Sequence, residues 1–185
     1  MGWHAMPEVR IETERLVLRS WREEDIAPFA RICADPAVMA TLGPVLDLEG
    51  TRALVERERG YEAQWGHTFW VVERREDQRL IGKCGIVRGR IAPISGEVEI
   101  GWRLASGCWG HGYATEAAKA SVQWAFANLE DDAVWAITAA SNRGSRAVME
   151  RLGMEHLPEL DFDHPRLNAD DPLRPHVTYR LERLA

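Results

Sequence analysis

The chain has 185 residues and a mass of 21.0 kDa, a length at which one domain buries about 70% of the surface its unfolded chain exposes. Its composition, 45% hydrophobic and 28% charged with eight tryptophans, supplies a core and excludes disordered and fibrous classes. Against 29 Asp and Glu stand 23 Lys and Arg, a net charge of −6; the basic residues are dispersed, so neither nucleic acid nor a membrane is expected as a partner.

No run approaches the roughly 18 apolar residues of a membrane span, and Met1 to Arg10 lacks a signal peptide's apolar centre. The expectation is a cytoplasmic protein, monomer or homodimer, with a single domain over 1–185. Cys33, Cys84 and Cys108 are odd in number and unpatterned, which fits reduced thiols and no structural metal.

In chain order, Leu16 to Arg19 reads as a first strand and Asp25 to Cys33 as a short helix, with Asp35-Pro36 breaking it. Asp47 is a plausible N-cap for a helix from Leu48 to Trp65, whose apolar face holds Leu48, Leu54, Val55, Tyr61 and Trp65, and Gly66 stops it. Thr68 to Glu73 and Leu80 to Val87 read as a hairpin closed by Glu76-Asp77-Gln78, and Glu97 to Leu104 as a further meander strand. A glycine-containing loop, Ser106 to Gly112, then leads into a helix from Tyr113 to Leu129. Next come a strand, Val134 to Ala139, and a helix from about Asn142 to Leu152 closed by Gly153. Glu155 to Leu160 and His176 to Leu184 read as two strands around a polar loop. The order of elements specifies an α+β domain on a mixed sheet. The tryptophans at 65, 70, 102, 124 and 135 are expected in the core, and Trp21 is a candidate wall of a substrate groove.

Chemistry concentrates at Cys108-Trp109-Gly110-His111-Gly112-Tyr113-Ala114-Thr115-Glu116, a strand-to-helix junction where backbone N–H groups lack intrahelical partners and the helix dipole is positive. Such a loop holds an anion such as a pyrophosphate, with His111 projecting to solvent. A P-loop would end in Gly-Lys-Ser/Thr, which is absent. A Rossmann fingerprint would need glycine or alanine at Thr115 and an acid closing the next strand, whereas Glu130, Asp131 and Asp132 precede it. Coenzyme A is the third reading.

Glu97-Val98-Glu99-Ile100-Gly101-Trp102-Arg103-Leu104, Trp109 to Ala117, Asn142 with Ser145, and Met149 to Met154 together resemble the GNAT superfamily of N-acetyltransferases. Thr13-Glu14-Arg15-Leu16-Val17-Leu18-Arg19 and the Glu-Ile-Gly-Trp strand resemble its branch of ribosomal-protein N-terminal alanine acetyltransferases. The resemblance implies a mostly antiparallel sheet with a V-shaped split and helices on both faces. Acetyl-CoA would lie between the strands at 97 to 104 and 134 to 139. It also implies pantetheine along the backbone of Trp102, Arg103 and Leu104, and pyrophosphate on the amides of Gly110, His111, Gly112, Tyr113, Ala114 and Thr115. Asn142 and Ser145 would meet the coenzyme from the other side. Trp109 stands where the superfamily often carries Arg or Gln, which leaves the phosphates to backbone amides.

Acetyl transfer to nitrogen requires an ammonium to lose a proton before it attacks a thioester. Glu97 and Glu99 share a strand face and are the candidate bases, Glu99 preferred and acting through water. The tyrosine that protonates the leaving thiolate in many relatives is replaced by Met149, which leaves Ser145 as the substitute donor. The expected activity is acetyl transfer to a primary amine, a protein N-terminus or a small molecule, in a ternary complex without a covalent enzyme intermediate. A non-catalytic acyl-CoA sensor and a nucleotide-dependent enzyme are the alternatives. Asp161 to Pro165 with His156 and Glu155 lacks metal-ligand spacing on regular elements.

Overall fold

The computed structural model describes residues 8–183. The strands are β1 (Arg10–Glu12), β2 (Leu16–Arg19), β3 (Phe69–Arg74), β4 (Arg79–Arg88), β5 (Val98–Leu104), β6 (Ala133–Ala139), β7 (Glu155–His156), β8 (Phe162–Asp163) and β9 (Pro175–Glu182). The helices are α1 (Ile26–Cys33), α2 (Pro36–Met39), α3 (Leu48–Trp65), α4 (Tyr113–Asn128) and α5 (Arg143–Arg151).

One sheet runs in the order β1-β2-β3-β4-β5-β6-β9-β7, with β8 also paired to β9. Every junction is antiparallel except β5–β6, which is parallel and pairs at the single position Glu99↔Trp135. Above that row β5 stays with β4 and β6 with β9, so the two strands splay apart toward their C-terminal ends. This is the expected V-shaped split in a mostly antiparallel sheet.

Helices cover both faces. Val98, Ile100 and Leu104 of β5 point, by strand alternation, into a core with Tyr113, Ala117, Ala118 and Val122 of α4 and Val148 and Met149 of α5. On the opposite face Trp21, Ile26, Phe29, Ile32, Leu54 and Val55 pack with Val71 of β3. Arg19 joins three elements there, donating Nη1 and Nη2 to Asp25 at 2.8 Å each and Nε to Glu73 at 3.0 Å. Removing one partner of so buried a pair costs about 3–5 kcal/mol.

Several sequence expectations shift. Asp35-Pro36 ends α1 but also starts a new turn of helix, because the Asp35 side chain accepts the Ala37 amide and Pro36 sits in the first turn, where its missing N–H costs nothing. Leu48 is 54% exposed, whereas Glu58 is buried on the inner side of α3; the helix turns a charged residue inward because a lysine of the sheet meets it. The expected strand at 155 to 160 is only β7 followed by a 3-10 turn, Pro158–Leu160. Trp21 donates its indole N–H to the Phe69 carbonyl at 2.7 Å and packs edge-on against Phe29, inside the core rather than along a groove. Of the five tryptophans expected in the core, Trp70 is fully buried and the other four are only partly so.

Candidate active site

The split presents backbone on the β5 side. Gly89 N–H donates to the Glu97 carbonyl and Ala105 N–H to the Ile81 carbonyl, so odd-numbered residues of the strand bond to β4. By alternation the amide and carbonyl of Trp102, and the carbonyl of Leu104, face the opening. The Leu104 carbonyl accepts the Trp109 indole N–H at 3.1 Å, which pins Trp109 at the mouth with half its surface in water. Arg103 is turned the other way: its backbone pairs with Lys83 of β4, and its side chain lies on the α1 face. Of the three backbones expected along the pantetheine arm, those of Trp102 and Leu104 are turned to the split and that of Arg103 is bonded to β4.

Beyond Trp109 the chain forms the anion loop. Gly110 (φ 78°) and Gly112 (φ 81°) both adopt the left-handed conformation that favours glycine, and Gly112 caps α4 without a side-chain bond. The amides of Gly110, His111, Gly112, Tyr113, Ala114 and Thr115 donate to no acceptor among the described residues, and the first closed bond of the helix is Glu116 N–H to the Gly112 carbonyl. A run of unpaired N–H groups at the positive end of a 16-residue helix is chemically suited to accept phosphate oxygens. His111 is exposed.

The loop is held from below by residues of two sequence motifs to which the sequence alone assigns no role. Glu116 accepts the Thr13 hydroxyl at 2.6 Å and the Arg15 amide at 2.9 Å, and pairs with the Arg15 guanidinium at 2.6 Å. Arg15 also donates to the His111 carbonyl at 2.9 Å and lies over the Tyr113 ring. The Thr-Glu-Arg-Leu opening is therefore a clamp on the 110–115 loop. The sequence marks both halves, the Thr13 to Arg19 segment and Glu116, but their contact spans about 100 positions and no local pattern joins them.

Across the split, Asn142 caps α5: its Oδ1 accepts Ser145 N–H and its Nδ2 donates to Thr138 Oγ1, both at 3.1 Å. Both ends of the Asn142 amide are thus occupied. The half-buried Ser145 hydroxyl has no hydrogen-bond partner among the described residues. Met149 is 2% exposed and belongs to the core.

The two candidate bases separate. Glu97 is exposed and accepts the Trp135 indole N–H at 3.1 Å, bridging β5 to β6 at the closed end of the split. Glu99, one row higher, has no hydrogen-bond partner among the described residues; burial pushes its carboxyl up to about 7, against the opposing pull of Arg90 and Lys83, and with a push from Glu58. A carboxyl titrating near neutrality beside a cleft is suited to take a proton from an ammonium. Cys84, by contrast, is buried with its thiol pushed up to about 12, which leaves no thiolate there for an acyl-enzyme. Asp161 is committed structurally, accepting His156 Nε2 and the Thr178 amide.

An acetyltransferase (GNAT) domain model matches residues 15–155. The chain belongs to the GNAT family. The domain and its relatives make it an N-acetyltransferase: the uncharacterized N-acetyltransferase p20 of Bacillus licheniformis is 27% identical over 77% of this chain and 80% of its own, while an uncharacterized Bacillus subtilis protein called YkkB, whose name states no activity, is 31% identical over 80% and 87%. An acetyltransferase structure from Agrobacterium tumefaciens superposes with a TM-score of 0.76 at 30% identity, over 99% of this chain and 98% of that one. The ribosomal L7/L12 α-N-protein acetyltransferase RimL in complex with coenzyme A shares the fold, with a TM-score of 0.76 at 16% identity over 94% and 98%.

Proposed function

We propose that this GNAT member transfers acetyl from acetyl-CoA to a primary amine, using Glu99 as the base in a ternary complex. The observation that carries the reading is the juxtaposition of an unpaired amide cradle at α4, an open strand edge at Trp102 and a carboxyl near neutral pKa one row below the split. The residues fit the coenzyme: amides 110–115 would hold its pyrophosphate, and the Trp102 backbone and Ser145 its pantetheine arm. When bound it supplies an activated acyl carbon, so that one N–C bond forms, one C–S bond breaks, and the ammonium loses two protons, one to the departing sulfur and one to solvent.

Glu99 accepts the proton that frees the nitrogen lone pair, directly or through one water, and its raised pKa keeps it basic enough to hold that proton. The Ser145 hydroxyl is the donor nearest the start of α5 and takes the place of the missing tyrosine. No helix among the described residues is long and apolar enough to cross a membrane, and the proposed setting is the cytoplasm, with no nucleic acid involved. The deciding experiment follows free CoA thiol on mixing the protein with acetyl-CoA and a panel of amines and N-terminal peptides. Turnover with at least one amine, lost in Glu99→Gln, is expected; acetyl-CoA binding with no transfer to any amine sinks the reading.

A further inference from the structure

The face of β5 that carries Glu99 continues through Gly101 to Arg103. Phe69, Gly85 and Gly101 stand in one register row across β3, β4 and β5. A Cβ at Gly101 would sit 2.9 Å from the Phe69 ring, so the missing side chain lets the half-buried ring lie over β5. The ring is the floor between Glu99 and Arg103. At the Arg103 end Lys83 places its Nζ 4.6 Å from the ring centre and 2.6 Å from Glu58, with Lys83 and Glu58 only 7% and 2% exposed. The Glu58 carboxylate, which also accepts the Thr68 hydroxyl at 2.8 Å, is thereby taken up.

Arg103 has no such partner. Its Nη1 donates to the Cys33 thiol at 3.1 Å, its Nε is buried without an acceptor, and no carboxylate among the described residues lies within ion-pair distance. The side chain is half-buried, and its buried Nε without an acceptor carries a desolvation cost that a bound anion would offset. In a chain of net charge −6, this face of β5 keeps one uncompensated positive charge, since Lys83, beside Arg103 in register, is neutralised by Glu58.

We propose that the acceptor is a primary amine that also bears a carboxylate, its nitrogen at Glu99, its carboxylate on Arg103 and its carbon chain across the Phe69 ring. The inference rests on the acetyl-transfer reading above and names the substrate class for the same site. Glu99 and Arg103 are four residues apart on a strand, about 13 Å between Cα atoms. With both side chains reaching inward, roughly three to five carbons span the remaining distance. A planar guanidinium matches a carboxylate with two parallel N–H···O bonds, which lysine cannot reproduce.

The test compares 5-aminopentanoate with butylamine and 1,4-diaminobutane as acceptors, by release of free CoA thiol, in the native protein and in Arg103→Met and Arg103→Lys. The native protein is expected to favour 5-aminopentanoate by at least about tenfold in kcat/KM, a ratio near that of one charge-assisted hydrogen bond. Arg103→Met should collapse that ratio toward one through KM, and Arg103→Lys should restore it only in part. A native preference for butylamine or the diamine, or an equal loss with all three acceptors in Arg103→Met, overturns the inference while leaving acetyl transfer intact. If no amine is acetylated, the acetyl-transfer reading itself fails, and calorimetry of 5-aminopentanoate against the CoA-loaded protein decides the anion site. Binding weakened by Arg103→Met supports the site, and binding absent or unchanged overturns it.

Discussion

Glu99 gathers two effects with opposite signs. As a base it works only when ionised, so kcat/KM should rise with pH along an acid limb near 7, the value to which burial pushes its carboxyl. Glu99→Gln should lower kcat/KM by about 10²–10⁴, with the deficit shrinking above pH 9, where more of an alkylamine is already neutral. A Gln variant with native rates from pH 6 to 9 would make Glu99 structural. The same shift is also a statement about stability. The folded-state pKa lies above the ordinary value of 4.5, so the folded protein binds the proton more tightly than the unfolded chain. The stabilisation this gives is complete below the unfolded pKa and is lost as pH rises through 7. Glu99→Gln should therefore be more stable than the native protein at pH 8, by about 1–3 kcal/mol after allowing for partial exposure, and indistinguishable from it near pH 4.5. Urea denaturation at the two pH values measures the difference; a native protein more stable at pH 8 would contradict it. Glu99 is legible from the sequence because strand alternation is a local rule. Its surroundings are not, since Lys83 meets Glu58 across 25 positions and Arg103 meets Cys33 across 70, and no short-range period encodes such contacts.

At the scale of elements, the proposed phosphate site depends on backbone shape first and on charge second. Gly112 has φ 81°, and a Cβ there would meet only Arg15 Nη2, at 3.5 Å. Asparagine tolerates the left-handed conformation, so Gly112→Asn should keep the fold and most of the acetyl-CoA affinity. Gly112→Glu should also fold, with Tm lowered by a few degrees for about 1–2 kcal/mol of strain, but it places a carboxylate among the amides at the start of α4 and should abolish binding. Calorimetry with acetyl-CoA separates them, and equal affinity in the two variants would remove the phosphates from this loop. The helices were readable because their ends carry local chemistry: Asp47 accepts Gly50 N–H at 2.8 Å, and Gly153 turns left-handed after α5. Elements of two or three residues, β1, β7 and β8, carry no periodicity and exist only because a neighbouring edge receives them. The short α2 was hidden by its own start signal, since Asp-Pro reads equally well as a stop.

For the whole molecule, the decisive feature is that two halves of one sheet touch at a single parallel row, Glu99↔Trp135. The mixed sheet follows from the order of elements, but the split does not. It arises because β6 pairs with β9 along its full length, Ala133↔Glu182 through Ala139↔His176, and that pairing draws in a strand more than 35 positions later. Above the row, the halves are joined by α4 and α5 packing beneath both. A ligand lying in the split supplies the missing contacts between β5 and β6, so its binding energy acts on the cooperative unit and not on one loop. Binding to the native state alone stabilises by about 2.7 kcal/mol at a hundred times Kd, which for a chain of this size raises Tm by roughly 5–10 °C. Coenzyme A should give that shift, and amide hydrogen exchange should slow in both β5 and β6. ATP offers phosphates to the same amides but no pantetheine arm for the strand edge, and NAD has no Rossmann crevice here. Neither should produce more than a small fraction of the shift at equal concentration. A larger effect from NAD than from coenzyme A, or protection confined to the 110–115 loop, would show that the split is not where the coenzyme arm lies.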